Sequence, residues 1–336
     1  MTGLPASTHE QPLLRVEGLQ KYYPVHRRRF LGRRLVGEVR AVDDVSFTVP
    51  RGETLGLVGE SGCGKTTTAR AILHLIAPTA GRVWLGGSEI LGLFQTGHRD
   101  QILGIRRRLQ YVFQDPYLSL NPRWTVEQTL REPFRVHSHI PREQEDDRIV
   151  ELLERVGLEE THASRYPHEF SGGQRQRVGI ARALAVQPEV LLCDEPVSSL
   201  DVSVRAQILN LLVALQETLG LTYLYISHDL SSVRFISTRV AVMYLGRIVE
   251  MAEVNDLFDH PLHHYTCALL AAIPAPDPDA RAFRSQLHGE PPSPMNLPRG
   301  CRFQARCPAA TAICREVEPL LSAQGGAHLV ACHHPR

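Results

Sequence analysis
The chain has 336 residues, 43% of them hydrophobic, enough for two folding units with apolar cores. Its 37 basic and 36 acidic residues nearly cancel, so no overall positive field draws it to nucleic acid or to an anionic membrane surface. No apolar run approaches the roughly 20 residues that span a bilayer, and residues 1–14 lack a basic-then-apolar secretory pattern, so a soluble, cytosolic chain is expected, reaching a membrane only through a partner.

Residues 13–22 alternate apolar and polar positions as a strand does, with Tyr23 at its end. The basic segment 26–34 reads as a solvated hairpin tip, with contact to lipid headgroups or a partner as the sharper alternative. Residues 45–49 and 54–58 read as strands about the turn Pro50-Arg51-Gly52, and the second runs into GESGCGKT at 59–66. Helical register follows over 66–75. Helical spacing recurs over 141–157 and 174–186, whereas 190–193 and 222–226 are short apolar runs suited to buried parallel strands. This alternation predicts a parallel sheet, interrupted by a helix-rich lobe over about residues 116–180. Residues 263–273 read as a helix, and the seven prolines from Pro274 to Pro298 argue for an extended connector.

Strand, loop, helix is the order in which a Gly-x-x-x-x-Gly-Lys-Thr run binds phosphate. Gly59, Gly62 and Gly64 let the backbone curl so that N–H groups, including those of Glu60, Ser61, Cys63 and Thr67, face phosphate oxygens. Lys65 meets the outer phosphates, and Thr66 offers its hydroxyl to Mg²⁺. Lys21 and Lys65 are the only lysines among the 37 basic residues; the one in this loop supplies a compact point charge that a planar guanidinium does not replace. Asp194 and Glu195 close an apolar strand, Asp194 suited to holding Mg²⁺ through water and Glu195 to polarising an attacking water.

Further motifs follow: SGGQRQR at 171–177, SSLD at 198–201, ISHD at 226–229 and YVFQDP at 111–116. In this order the chain resembles the ATP-binding-cassette (ABC) family over residues 13 to about 270. The resemblance implies an α/β P-loop nucleotide-binding domain over 13–273, with a RecA-like parallel sheet core, an antiparallel β subdomain and an α-helical subdomain. It implies that Tyr23 stacks on adenine, with Tyr22 as a competing choice, and that Gln114 touches Mg²⁺ and the transport partner. Ser171, Gly172, Gly173 and Gln174 match the family signature, with Phe170 where Leu is more usual, and would cradle the phosphates of ATP bound to an opposite subunit. Asp201 would cross that interface. His228 would contact the γ-phosphate, joining Glu195 and Lys65 in catalysis.

The stretches VGESGCGKTTTAR, QDPYLSLNPR, DEPVSSLDVSVRAQILNLL, MYLGRIVE and SPMNLPRGCRFQARCP are similar to the ATPase subunits of dipeptide and oligopeptide importers. That branch implies an ATP-hydrolysing translocase subunit on the cytoplasmic side of the inner membrane. Its partners would be a second cassette subunit, two transmembrane permease subunits and an external substrate-binding protein. Related importers of nickel, opines or glutathione are the nearest alternative; a soluble cassette ATPase or an iron-sulfur regulatory protein is more distant.

Cytosolic thiols stay reduced, so stable disulfides are not expected. Cys63, Cys193 and Cys267 read as packing residues. Cys301, Cys307, Cys314 and Cys332 have 5, 6 and 17 residues between them, unlike the paired spacing of a zinc ribbon. Four thiolates suit Zn²⁺ or a [4Fe-4S] cluster; the spacing and the branch resemblance favour the cluster, with zinc and unligated thiols as alternatives. His328, His333 and His334 read as exposed surface residues. Residues 299–336, a Cys-rich C-terminal domain after the 274–298 linker, read as too few to build much core, so a metal would act chiefly as a structural staple, with redox or iron sensing as the alternative. Every cassette motif precedes residue 298, so truncation there is expected to spare ATP binding.

Overall fold
Leu55, Leu57 and Val58 are all buried in one short strand, the pattern of a strand covered on both faces. The computed structural model describes residues 11–29, 32–137, 140–272, 289–290 and 292–336, with backbone alone at 27–29 and 32–34. In chain order, β1 (Leu14–Arg29) and β2 (Gly32–Val49) form a long antiparallel hairpin, and β3 (Thr54–Val58) leads through the glycine-rich loop into α1 (Lys65–Ile72). Then come β4 (Ala80–Leu85), β5 (Ser88–Glu89), α2 (Leu91–Thr96), α3 (Arg99–Arg108) and β6 (Leu109–Val112). A helical segment follows: α4 (Pro116–Ser119), α5 (Val126–His137), α6 (Glu145–Arg155) and α7 (Gly172–Leu184). Strands and helices alternate again as β7 (Val190–Asp194), α8 (Val202–Leu219), β8 (Thr222–Ile226), α9 (Leu230–Ile236) and β9 (Arg239–Tyr244). After β10 (Arg247–Glu253), α10 (Val254–Asp259) and α11 (His264–Ala271), the tail carries α12 (Ala312–Glu316), β11 (Ser322–Ala323) and β12 (Leu329–Val330).

Two sheets result. One has the order β2-β1-β4-β5, all antiparallel. The other runs β11-β12-β10-β9-β3-β8-β7-β6; β9, β3, β8, β7 and β6 are mutually parallel, and β10, β12 and β11 add antiparallel neighbours. The turn at 50–52 therefore passes the chain from one sheet to the other. Alternate residues of the parallel strands serve two cores. Leu192, Leu224 and Ile226 pack with Phe47, Leu57 and Ile72, whereas Leu191, Cys193 and Tyr225 pack with Leu152, Phe170, Val178 and Leu212 of the helices. Each such fully buried side chain contributes roughly 1.5–3 kcal/mol.

Three sequence expectations need correction. The first strand does not end at Tyr23: it runs on through Pro24, opposite Glu38, to Arg29, and among the described residues only β2 pairs with it beyond Gln20, an edge position at which proline is tolerated. The basic segment is the far end of this hairpin, with Arg29 opposite Gly32. His328 is not an exposed residue; its Nε2 lies 2.7 Å from Oε1 of the fully buried Glu250. Nor is the tail short of a core. β12 pairs with Glu250 and Met251 of β10, and Phe303 inserts among Tyr244, Tyr265 and His263, with ring centroids 5.4–5.7 Å apart. Most of the proline-rich connector, 274–288 and 291, lies outside the described residues, as does residue 273 at the end of the expected helix 263–273. Among the described residues, no helix is long and apolar enough to cross a membrane.

Candidate functional site
The loop between β3 and α1 requires glycine at two contacts. A Cβ at Gly59 would stand 2.1 Å from the Met243 carbonyl oxygen, and one at Gly64 would stand 2.0 Å from that of Ala41. Gly59, Gly62 and Gly64 also have φ of 150°, 80° and 114°. The loop curls about Lys65, whose Nζ donates to the carbonyls of Gly59 at 2.7 Å and Glu60 at 3.1 Å. Ser61 and Gly62 are exposed, Cys63 is buried beneath the loop, and Thr66 and Thr67 open α1 at half-buried positions. This is a cradle of N–H groups at a helix start, suited to a chain of phosphates.

At the ends of the neighbouring strands, Thr66 Oγ1 donates to Asp194 Oδ1 at 3.0 Å, and the Tyr111 hydroxyl donates to Oδ2 at 2.5 Å. Asp194 is 1% exposed, and burial pushes its carboxyl above the usual range, against the hydrogen bonds from Tyr111 and Thr66. A hard cation there would reverse that shift, and hydroxyl and carboxylate oxygens are the donors it takes.

Glu195 has φ 47°, an unusual conformation for a residue with a side chain, held by its N–H donating to the Ile226 carbonyl at 2.8 Å. Its carboxylate gathers two of the expected residues: Gln114 Nε2 donates to Oε2 at 2.9 Å, and His228 Nδ1 lies 3.0 Å from Oε1. His228 and Gln114 are exposed at the ends of β8 and β6. A carboxylate beside an imidazole and an amide can orient water and carry a proton.

Ser171 caps α7 by accepting from the Gln174 N–H at 3.3 Å, and the Gln174 side chain accepts from Ser171 N at 3.0 Å. Gly172 is exposed, whereas Gly173 packs under Val204. The Ser171 hydroxyl faces solvent on the helical segment, and among the described residues its bonds stay within its own turn. Asp201 likewise caps α8, accepting from Val204 N at 2.9 Å and Ser203 Oγ at 2.8 Å. Those bonds, led by the one from Val204, hold its carboxyl below the usual range.

The two tyrosines differ. Tyr22 donates its hydroxyl to Asp43, and burial with that bond raises it to about 12. Tyr23 is 39% exposed, with Lys21 Nζ 4.9 Å from its ring centre, and keeps an open aromatic face.

Cys301, Cys307, Cys314 and Cys332 line one small enclosed cavity with His264 and His334. Burial first, and then the neighbouring thiols, push Cys301 up to about 11. Among the described residues, however, no group of three or more His, Cys, Asp or Glu side chains stands close enough to hold a metal ion.

Sequence reasoning missed the Tyr111–Asp194 bond, the Tyr22–Asp43 bond and two arginines of the tail. Arg302 pairs with Asp43 and with Glu318 Oε1 at 2.9 Å and donates to the Leu245 carbonyl; Arg306 pairs with Glu60. The alternation RFQAR between two cysteines gave no sign of which carboxylates these side chains reach.

Residues 42–198 match the family model described as ABC transporter, and 249–314 match the C-terminal region of oligopeptide/dipeptide transporters. The chain is 48% identical to the oligopeptide transport ATP-binding protein AppF of Bacillus subtilis, over 97% of this chain and 98% of that protein. It is also 48% identical to the dipeptide transport ATP-binding protein DppF of Escherichia coli, over 97% and 95%. Among solved structures, a dimeric ATP-binding cassette in a post-hydrolysis state with ADP and Pi matches with TM-score 0.61 and 29% identity, over 72% of this chain and 98% of that one.

Proposed function
The chain belongs to the ABC transporter family, and from that premise we propose that it is the ATP-hydrolysing subunit of an importer of dipeptides or oligopeptides. The full-length relatives and the match of 249–314 to a peptide-transporter C-terminal region carry this reading. No peptide site follows from the chain itself; its work is to turn ATP binding and hydrolysis into motion of permease subunits. It works from the cytoplasmic face of the membrane as a peripheral subunit, paired with a second cassette and supplied by an external substrate-binding protein.

Ser61, Gly62, Cys63, Gly64, Lys65, Thr66 and Thr67 would bind the phosphates, with Tyr23 under the adenine; the expected N–H of Glu60 does not join them, because it donates to the Tyr265 hydroxyl at 2.8 Å. Thr66, Asp194 and Gln114 would hold Mg²⁺, which supplies charge neutralisation across the outer phosphates. Glu195 would polarise the attacking water while His228 steadies it at the γ-phosphate, a division supported by their 3.0 Å pairing. Ser171, Gly172, Gly173, Gln174 and Asp201 would act on ATP held by a partner cassette, consistent with the Ser171 hydroxyl and the Asp201 carboxylate facing outward.

The tail cysteines would hold a [4Fe-4S] cluster. Four soft thiols around one cavity support that donor set, although they do not stand at bonding separations. The cluster would supply a rigid four-point link among Cys301, Cys307, Cys314 and Cys332. The test of the whole reading is co-purification with the membrane permease subunits and uptake assays with labelled di- and oligopeptides and with nickel. Uptake of nickel without peptides would overturn the peptide assignment.

A further inference from the structure
The cysteine-bearing tail reaches directly into the phosphate loop. Arg306, one residue before Cys307, places Nη1 2.7 Å from Glu60 Oε2 and Nη2 2.9 Å from Glu60 Oε1, a two-pronged pairing. The Arg306 side chain is only 4% exposed, walled by the rings of Tyr244 and Phe303. The remaining polar groups of Glu60 are held too: its N–H donates to the Tyr265 hydroxyl at 2.8 Å, and its carbonyl accepts from Lys65 Nζ at 3.1 Å. Tyr265 in turn packs against Phe303, three residues before Arg306.

Arg302 makes a parallel contact on the other side. It pairs with Asp43, whose second oxygen accepts from the Tyr22 hydroxyl, next to the aromatic ring of Tyr23. The segment between Cys301 and Cys307 thus grips both the loop that would hold phosphate and the strand that would hold adenine.

Glu60 is an acid inside a loop built to attract polyphosphate. Left unpaired, its carboxylate would repel the ligand and free the loop to move; paired with Arg306, it is neutralised and fixed. We propose that Arg306 is a positioning residue for the phosphate loop: by neutralising and anchoring Glu60 it sets affinity for Mg-ATP, so that the arrangement of the tail is transmitted to nucleotide binding. The inference rests on the ATP-binding reading above.

The test uses the full-length chain, with Mg-ATP binding by calorimetry, melting temperature, and KM and kcat for ATP. Arg306→Ala is expected to weaken Mg-ATP binding about tenfold, roughly 1.4 kcal/mol, raising KM with kcat little changed. Arg306→Lys, which keeps the charge but not the fork, should recover part of the loss. The deciding variant is Arg306→Ala combined with Glu60→Gln: removing the repelling carboxylate should make the double variant bind Mg-ATP more tightly than Arg306→Ala alone. A merely structural arginine would show the relief in melting temperature alone, with no change in Mg-ATP affinity measured well below the melt. Should Arg306→Ala fail to fold, the same comparison is made on Arg306→Lys with and without Glu60→Gln. Unchanged affinity in the arginine variant, or no relief from Glu60→Gln, overturns the proposal. Failure of the unmodified chain to bind Mg-ATP would instead overturn the ATP-binding reading, and the proposal with it.

Discussion

His228 Nδ1 stands 3.0 Å from Glu195 Oε1, joining a residue at the end of β8 to one at the end of β7. The two strands are parallel neighbours, so the pairing follows from sheet order. If Glu195 polarises the attacking water, Glu195→Gln keeps the hydrogen-bonding shape and removes the base. ATP turnover by the assembled complex is then expected to fall by at least about 100-fold with Mg-ATP binding retained, and His228→Ala should fall comparably. Single-turnover hydrolysis and equilibrium binding check this, and normal turnover in either variant would remove the assignment.

Tyr22 and Tyr23 should separate by experiment. Tyr23→Ala is expected to weaken ATP binding several-fold, with Tyr23→Trp restoring it, because the open ring supplies a stacking face. Tyr22→Phe should leave nucleotide affinity near normal and lower stability by about 1–2 kcal/mol, since it deletes the donor to Asp43. The opposite pattern would place adenine on Tyr22.

His263 gives the fold a pH dependence. It is 1% exposed, its Nδ1 accepts from the Tyr265 N–H at 3.0 Å, and burial, followed by the charge of His264, lowers it to about 3. The unfolded imidazole takes up its proton near pH 6.5, so the unfolded state binds more protons between about 6.5 and 3. Stability is fully present above that window and declines as pH falls through it. Urea unfolding between pH 7 and pH 5 should show the decline, and His263→Gln should flatten the slope.

Much of the cassette was legible because its chemistry is local in sequence. GESGCGKT sits between one strand and one helix, and runs such as 190–193 and 222–226 are largely apolar and buried throughout because both faces of the sheet are covered. The meeting of Gln114, Glu195 and His228 was implied only by a family resemblance, since it depends on the order β8-β7-β6. What stayed hidden was long-range and electrostatic. Nothing in the neighbourhood of Arg302 indicates Asp43, 259 positions earlier, and nothing near Arg306 indicates Glu60. The tail looked poor in core for the same reason: Phe303 and Leu329 join cores built almost wholly from residues far upstream, and Val330 pairs with Glu250 of β10.

The cysteine cavity has a visible test. Protein purified without oxygen is expected to be brown, with broad absorbance near roughly 400 nm, and Cys301→Ser or Cys314→Ser should abolish that band. Colourless protein with one equivalent of zinc would replace the iron-sulfur reading. Equal ATPase rates in oxidised and reduced complex would favour a structural cluster over a redox sensor.

Truncation after residue 298 distinguishes motif position from physical contact. All the cassette motifs survive such a cut, and on that ground alone ATP binding would be spared. The structure predicts otherwise. Asp43, whose side chain is 5% exposed, loses Arg302, and Tyr244 and Tyr265 lose the ring of Phe303. Burial pushes the Asp43 carboxyl up, but the Tyr22 and Arg302 hydrogen bonds outweigh it and hold it below the usual range, so its pairing stabilises the fold at neutral pH and is lost only as pH falls below about 4. Removing one partner of a buried pair costs about 3–5 kcal/mol, to which the lost aromatic contacts add. The truncated chain is therefore expected to melt at lower temperature and to bind Mg-ATP more weakly, because Glu60 also loses Arg306. Unchanged melting and affinity would mean that the tail merely rests on the cassette.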